Sequence, residues 1–168
     1  MNKNIILNEV SKCYDYYDNF LQLINENKNI IILGNGGSSA IASHISQDYT
    51  KKLKKKSFTF SDASRLTCYA NDYGYEYAYL QFLKEFTNPE EKTLVILISS
   101  SGNSQNIINC AEWCNTQSNI DVATLTGFDT NNKIKLFNFN NRKINFWVDS
   151  YDYGIVECVH MIFLHMAA

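Results

Sequence analysis

Asn29-Ile-Ile-Ile-Leu-Gly-Asn-Gly-Gly-Ser38 is the stretch that decides the fold. Ile30 to Leu33 form a short, β-branched apolar run, too short for a helix and suited to a strand buried on both faces. The run stops at Gly34-Asn35-Gly36-Gly37, a tight turn. Ser38 then opens a helical stretch to about Thr50, with Ile41 and Ile45 on one side. The same order returns later in the chain. Thr93-Leu-Val-Ile-Leu-Ile98 predicts a second buried strand, Ser99-Ser100-Ser101-Gly102-Asn103 a second turn, and Ser104 to about Asn115 a second helix. Strand–turn–helix units in series call for parallel pairing through right-handed crossovers, hence an α/β fold.

The remaining elements follow from the same periodicities. Val10, Cys13, Tyr14, Tyr17, Phe20, Leu21 and Ile24 recur in steps of three and four, which predicts an amphipathic helix from Asn8 to about Asn25. A short strand is expected at Ser57–Phe60, a helix near Glu76–Phe86 ended by Pro89, and strands at Asp121–Thr126 and Ile144–Val148. The segment Asn131–Asn141 between the last two is read as a small hairpin. A final helix runs from about Gly154 onward. The expected architecture is a three-layer, doubly wound, mostly parallel sheet flanked by helices. It forms a single domain over 1–168, with the N-terminal helix within 1–28 packing in an oligomer.

Composition bounds the function. The chain has 168 residues, enough for one domain with a full core. Its net charge of −2 argues against electrostatic nucleic-acid binding. Neither Ile30–Leu33 nor Leu94–Ile98 approaches the ~20 apolar residues that span a bilayer, and no leader peptide is evident in MNKNIILNEVSK. The five cysteines, at 13, 68, 110, 114 and 158, form no CxxC pair and read as reduced thiols in a cytoplasmic protein. The Lys51–Lys56 run reads as a solvated loop.

Both glycine- and serine-rich turns look like phosphate cradles. A helix N-terminus presents unpaired N–H groups and the positive end of its dipole. Glycine lets the backbone approach an anion closely, and serine adds hydroxyl donors. In open α/β sheets the ligand crevice lies at the carboxyl ends of the strands, where both turns sit. Neither turn is a Walker A loop, and the GxGxxG spacing of dinucleotide folds is missing. A small phosphorylated ligand is the expectation. His44 and Asp48 add a second feature: four residues apart on a helix, they share a face and offer imidazole and carboxylate to zinc or a similar divalent ion.

GNGGS before a helix, ANDYG, LISSSGNS, LTG and a closing ExxHxxxxH helix together resemble the SIS-domain sugar-phosphate isomerases, over about Asn29 to His165. Within that class the pattern is similar to the phosphoheptose isomerase family. That resemblance implies interconversion of sedoheptulose 7-phosphate and D-glycero-D-manno-heptose 7-phosphate, supplying heptose for cell-surface polysaccharide, by a homotetramer with sites between subunits. It also implies roles at matching positions. Asn35, Gly36, Gly37 and Ser38 would bind substrate, and Ser99, Ser100, Ser101 and Ser104 would hold the phosphate. Asp72 would lie near the reacting end of the sugar. Zinc would take His44, Asp48, Glu157 and His165, with Asp48 the base and His165 its acid/base partner.

Three departures from the family pattern stand out. Asp48 replaces a glutamate and is one methylene shorter. Glu157 replaces a glutamine and adds a negative charge. The last helix stops soon after His165, so fraying is expected to hold that side chain poorly. Glu157 and His165 are eight residues apart, ~12 Å along one straight helix, so a shared ion would draw them from different subunits. Glu157 and His160, three apart, could instead pair locally. A non-catalytic SIS domain, acting as a sugar-phosphate sensor or a regulator docking on a replication initiator, is the alternative. The retained His44, Asp48 and His165 favour the enzyme.

Overall fold

All six residues of strand β1 (Asn29–Gly34) and all seven of β3 (Thr93–Ser99) are buried, as an apolar run without alternation requires. In the computed structural model, which describes residues 3–141 and 143–168, these two strands form the centre of a five-stranded sheet. Beside them lie β2 (Lys56–Thr59), β4 (Ile120–Thr126) and β5 (Lys143–Trp147), in the order β2-β1-β3-β4-β5. Every pairing is parallel.

Successive side chains of a strand point to opposite faces, and the two cores follow from that. Ile30, Ile32, Leu94, Ile96 and Ile98 face one layer, made by α1 (Lys3–Glu26), α2 (Gly37–Leu53) and α7 (Tyr153–His165). Ile31, Leu33, Val95 and Leu97 face the other, where α4 (Tyr75–Phe86) and α5 (Gln105–Cys114) pack. The molecule is therefore a helix–sheet–helix sandwich. Of the expected apolar stripe of α1, Cys13, Phe20 and Ile24 are buried in the first core, together with Leu23, whereas Tyr14 is exposed; Phe20 packs against Phe163. Glu9, also buried, accepts from the Asp149 backbone N–H at 3.0 Å and ties α1 to the loop before α7.

Local expectations fail at several points, and the Lys51–Lys56 run is one: Lys51–Leu53 form the last turn of α2 and Lys56 begins β2. Asn131–Asn141 is no hairpin but holds a one-turn helix, α6 (Lys133–Leu136). The Asn132 side-chain Oδ1 caps it by accepting from the Lys135 N–H, and its Nδ2 donates to the Gly127 and Asp129 carbonyls. These side-chain bonds satisfy the local backbone without a strand partner. The structure also adds α3 (Ala63–Tyr73), capped by Asp62. None of its residues is fully buried, so its apolar signal was too thin to read.

His160 of α7 is fully buried, with Nε2 3.1 Å from the carbonyl oxygen of Thr126 at the end of β4. Burial drives its pKa down to about 4 from 6.5, while the Thr126 contact pulls weakly the other way. The unfolded chain therefore binds a proton at a higher pH than the fold does. Stability is expected to fall as the pH drops from 6.5 to 4, with a contribution from His160 of up to about 3 kcal/mol. Urea unfolding at a series of pH values measures it, and His160→Gln is expected to flatten that part of the slope.

Candidate active site

Strand order reverses between β1 and β3, so their following segments part and leave a crevice at the carboxyl ends of the strands. A cavity of about 260 Å³ opens there, lined by Asn35, Gly36, Gly37 and Ser38 from the first turn and by Ser99, Ser100, Ser101 and Ser104 from the second. The helices behind the two turns, α2 and α5, carry no side-chain N-cap. By contrast α3, α6 and α7 are capped by Asp62, Asn132 and Asp152. The uncapped ends leave donors and positive dipole ends at the cavity.

The second turn is closely built. Gly102 sits at φ 62°, and a Cβ there would stand 1.9 Å from Asn132 Oδ1. The Gly102 N–H bonds the Ser99 carbonyl at 2.9 Å, and Gly127 N–H bonds the Ser100 carbonyl at 2.9 Å. Ser99 Oγ lies 3.2 Å from Ser104 Oγ, and the buried Ser100 hydroxyl has no protein partner. A buried hydroxyl without a partner is costly, and an anion accepting from it removes that cost. In the first turn, the Asn35 and Asn106 amides exchange two 2.9 Å hydrogen bonds, and Tyr75 Oη donates to Asn35 Oδ1 at 2.8 Å.

A second constellation lies further along the same helices. His44, Asp48 and His165 place one ligand atom each within 4.8 Å of one another. His165 Nδ1 is 3.5 Å from Asp48 Oδ2, and the two imidazole rings stand edge to face at 5.1 Å. Lys52 reaches Asp48 at 3.1 Å. That bond, with the charges of Lys52 and the two histidines, holds the Asp48 carboxyl below its usual range against the opposing effect of desolvation. Two zinc ligands bonded at ~2.0–2.2 Å can stand up to ~4.4 Å apart, so small side-chain rotations would close this set on one ion. Three protein ligands with an open fourth position is the pattern of catalytic zinc. Two imidazoles and a carboxylate fit it.

α2 and α7 lie side by side and link the two constellations. At one end Glu157 meets the first turn: a Cβ on Gly37 would be 2.4 Å from Glu157 Oε1. At the other end His165 meets His44 and Asp48. Glu157 and His165 are ~12 Å apart along the axis of α7. Between them runs an apolar groove of about 380 Å³, lined by Ile41, Cys158, Met161 and Ile162 beside Glu157. Glu157 therefore lines the serine cavity and stands apart from the histidine cluster of its own chain. Asp72 lies outside the cavity, exposed near the end of α3 and bonded to Cys68 and Asn71. Sequence reading does not single out Asn106, Tyr75 or Tyr153, the last of which also lines the cavity. Asn106 sits one turn past a serine turn already singled out, and Tyr75 directly follows ANDYG; Tyr153 carried no signal of its own.

A family model described as the SIS domain matches residues 4–127, and the chain belongs to that family. Within it, the chain is similar to phosphoheptose isomerases. That of Klebsiella pneumoniae subsp. pneumoniae is 30% identical over 151 residues, covering 77% of each chain. That of Fusobacterium nucleatum subsp. nucleatum is 34% identical over 108 residues, 61% of this chain and 55% of the relative. The match thus spans little more than half the length of that relative. The solved structure of phosphoheptose isomerase from Neisseria gonorrhoeae superposes with a TM-score of 0.81 at 24% identity, over 96% of this chain and 89% of that one, and shares the fold.

Two variants probe the cavity. Gly102→Ala meets both the positive φ and the Asn132 side chain, so inorganic phosphate binding is expected to fall at least tenfold, with a melting temperature several degrees lower. Glu157→Gln removes a like charge from the anion cavity, so phosphate is expected to bind severalfold tighter at low salt. Isothermal calorimetry reads both.

Proposed function

We propose that the protein is an aldose–ketose isomerase acting on a phosphorylated sugar, with sedoheptulose 7-phosphate as substrate and D-glycero-D-manno-heptose 7-phosphate as product. One observation carries the reading: a His44–Asp48–His165 cluster of zinc-type donors stands on the same helix pair that borders the serine-lined anion cavity. The phosphoheptose isomerase relatives, acting by name on a heptose phosphate, support the sugar-phosphate part of this reading.

The phosphate is held by Ser99, Ser100, Ser101 and Ser104, with Asn35, Gly36, Gly37 and Ser38 on the facing turn. Fixing the remote end of the sugar turns binding energy into orientation of its reacting carbons. Isomerisation moves a proton between C1 and C2 through an enediol, which requires a base for carbon and an acid for oxygen. Asp48 takes the proton and His165 serves the oxygens. A zinc or similar divalent ion on His44, Asp48 and His165 supplies Lewis-acid stabilisation of the charge on those oxygens. The ion pair with Lys52 keeps Asp48 ionised, at the expense of basicity.

The active assembly is a homo-oligomer, a tetramer, in the cytoplasm. A polyhydroxylated sugar gains nothing from lying along the apolar groove that separates cavity and cluster in one chain. A second copy covering the groove would bury it and set one subunit's cavity against another's cluster. In that arrangement Glu157 reaches a neighbour's ion and Asp72 a neighbour's sugar. All five cysteines are free, as a reducing compartment requires. No helix among the described residues is long and apolar enough to cross a membrane.

Zinc-loaded protein incubated with sedoheptulose 7-phosphate is expected to form the aldose phosphate, read by coupled assay or NMR. Binding without turnover of this or any other ketose phosphate would instead favour a sugar-phosphate sensor. His165→Ala is expected to lose turnover by two or more orders of magnitude while still binding sugar phosphate. Loss of both would contradict the division between anion and metal groups.

A further inference from the structure

The last turn of α7 carries His165, yet helix ends have carbonyls without intrahelical partners and tend to fray. In this chain the Leu164 carbonyl, which takes a long 3.4 Å bond from the Ala167 N–H, has a second and closer donor. Tyr49 Oη donates to the Leu164 carbonyl at 2.9 Å, between residues 115 apart in sequence. Tyr49 has no exposed surface, and burial pushes its hydroxyl far above the ordinary phenol range, so it remains a donor at any pH the fold survives. Phe163, Leu164 and Ala167 are buried around it.

The position of this bond is what gives it a role beyond packing. Tyr49 is the residue after Asp48 and lies five past His44 on α2. Leu164 is the residue before His165 on α7. One hydrogen bond, from a side chain of α2 to the backbone of α7, therefore links the two helices next to both halves of the histidine–aspartate cluster. A phenylalanine would fill the same space, so the hydroxyl is needed only for the link. We propose that Tyr49 is a positioning residue: its hydroxyl pins the end of α7 to α2 and so sets His165 at metal-binding distance from His44 and Asp48. The inference rests on reading that cluster as a metal site, and concerns what holds it together.

The test is cobalt titration of the full-length chain by visible absorption, alongside inorganic phosphate titration by calorimetry. Tyr49→Phe is expected to bind cobalt at least tenfold more weakly, with an altered d–d spectrum, and to bind phosphate as the wild type does. Tyr79→Phe is the control. It removes a hydroxyl bond of similar burial, 2.6 Å to the Gly34 carbonyl, at the other end of α2. It is expected to leave cobalt affinity unchanged. Equal cobalt affinity and spectrum in Tyr49→Phe and wild type would overturn the proposal, as would equal loss in both variants. A wild type without a cobalt band, or His44→Ala behaving as wild type, would overturn the metal reading and the positioning role with it. If Tyr49→Phe does not fold, Tyr49→Met, which fills the site without a donor, takes its place with the same expectations.

Discussion

The side-by-side packing of α2 and α7 is the constraint on which the rest depends. α2 begins at the anion cavity and runs past the histidine cluster; α7 does the same in parallel. At one end the missing side chain of Gly37 lets Glu157 lie against the turn. At the other the buried Tyr49 hydroxyl takes the Leu164 carbonyl. Because α2 packs on β1 and β2 while α7 is held to β4 by His160 and to β5 by the Phe163–Phe146 stack, neither end can shift without disturbing the core. The separation between the serine-lined cavity and the histidine–aspartate cluster is thus a property of the fold.

That separation has an electrostatic side. The serine cavity offers neutral donors and helix ends to an anion, yet Glu157 puts a carboxylate on its rim. The cluster offers two imidazoles and a carboxylate, and Lys52 pairs with that carboxylate. Each constellation holds a charge that its proposed ligand must displace or outcompete. A phosphate must share the cavity with Glu157, and a divalent ion must replace Lys52 at Asp48. Both replacements favour binding in a setting where the groups are drawn elsewhere, such as the junction between copies of the chain.

Much of this was legible in the sequence because the deciding signals are local. Ile30–Leu33 and Leu94–Ile98 show no alternation, which only a strand covered on both faces explains, and the glycines and serines that follow mark turns directly. The His44–Asp48 pair is visible from its spacing alone. His165 joining that pair within one chain was not legible, since it depends on how α7 lies against α2. Its firm anchorage was not legible either, because a tyrosine at 49 reads as another core residue. Helix α3 and the turn at Lys133–Leu136 were missed for a related reason. Their stability comes from polar caps, Asp62 and Asn132, and not from a periodic apolar face.

The most direct measurement is anomalous diffraction at the zinc edge from crystals grown with zinc and a sugar phosphate. The account predicts one strong peak within bonding distance of His44, Asp48 and His165 of the same chain, with the phosphate among Ser99, Ser100, Ser101 and Ser104. Zinc bound elsewhere, with Asp48 still held by Lys52 and the imidazoles turned to solvent, would contradict it.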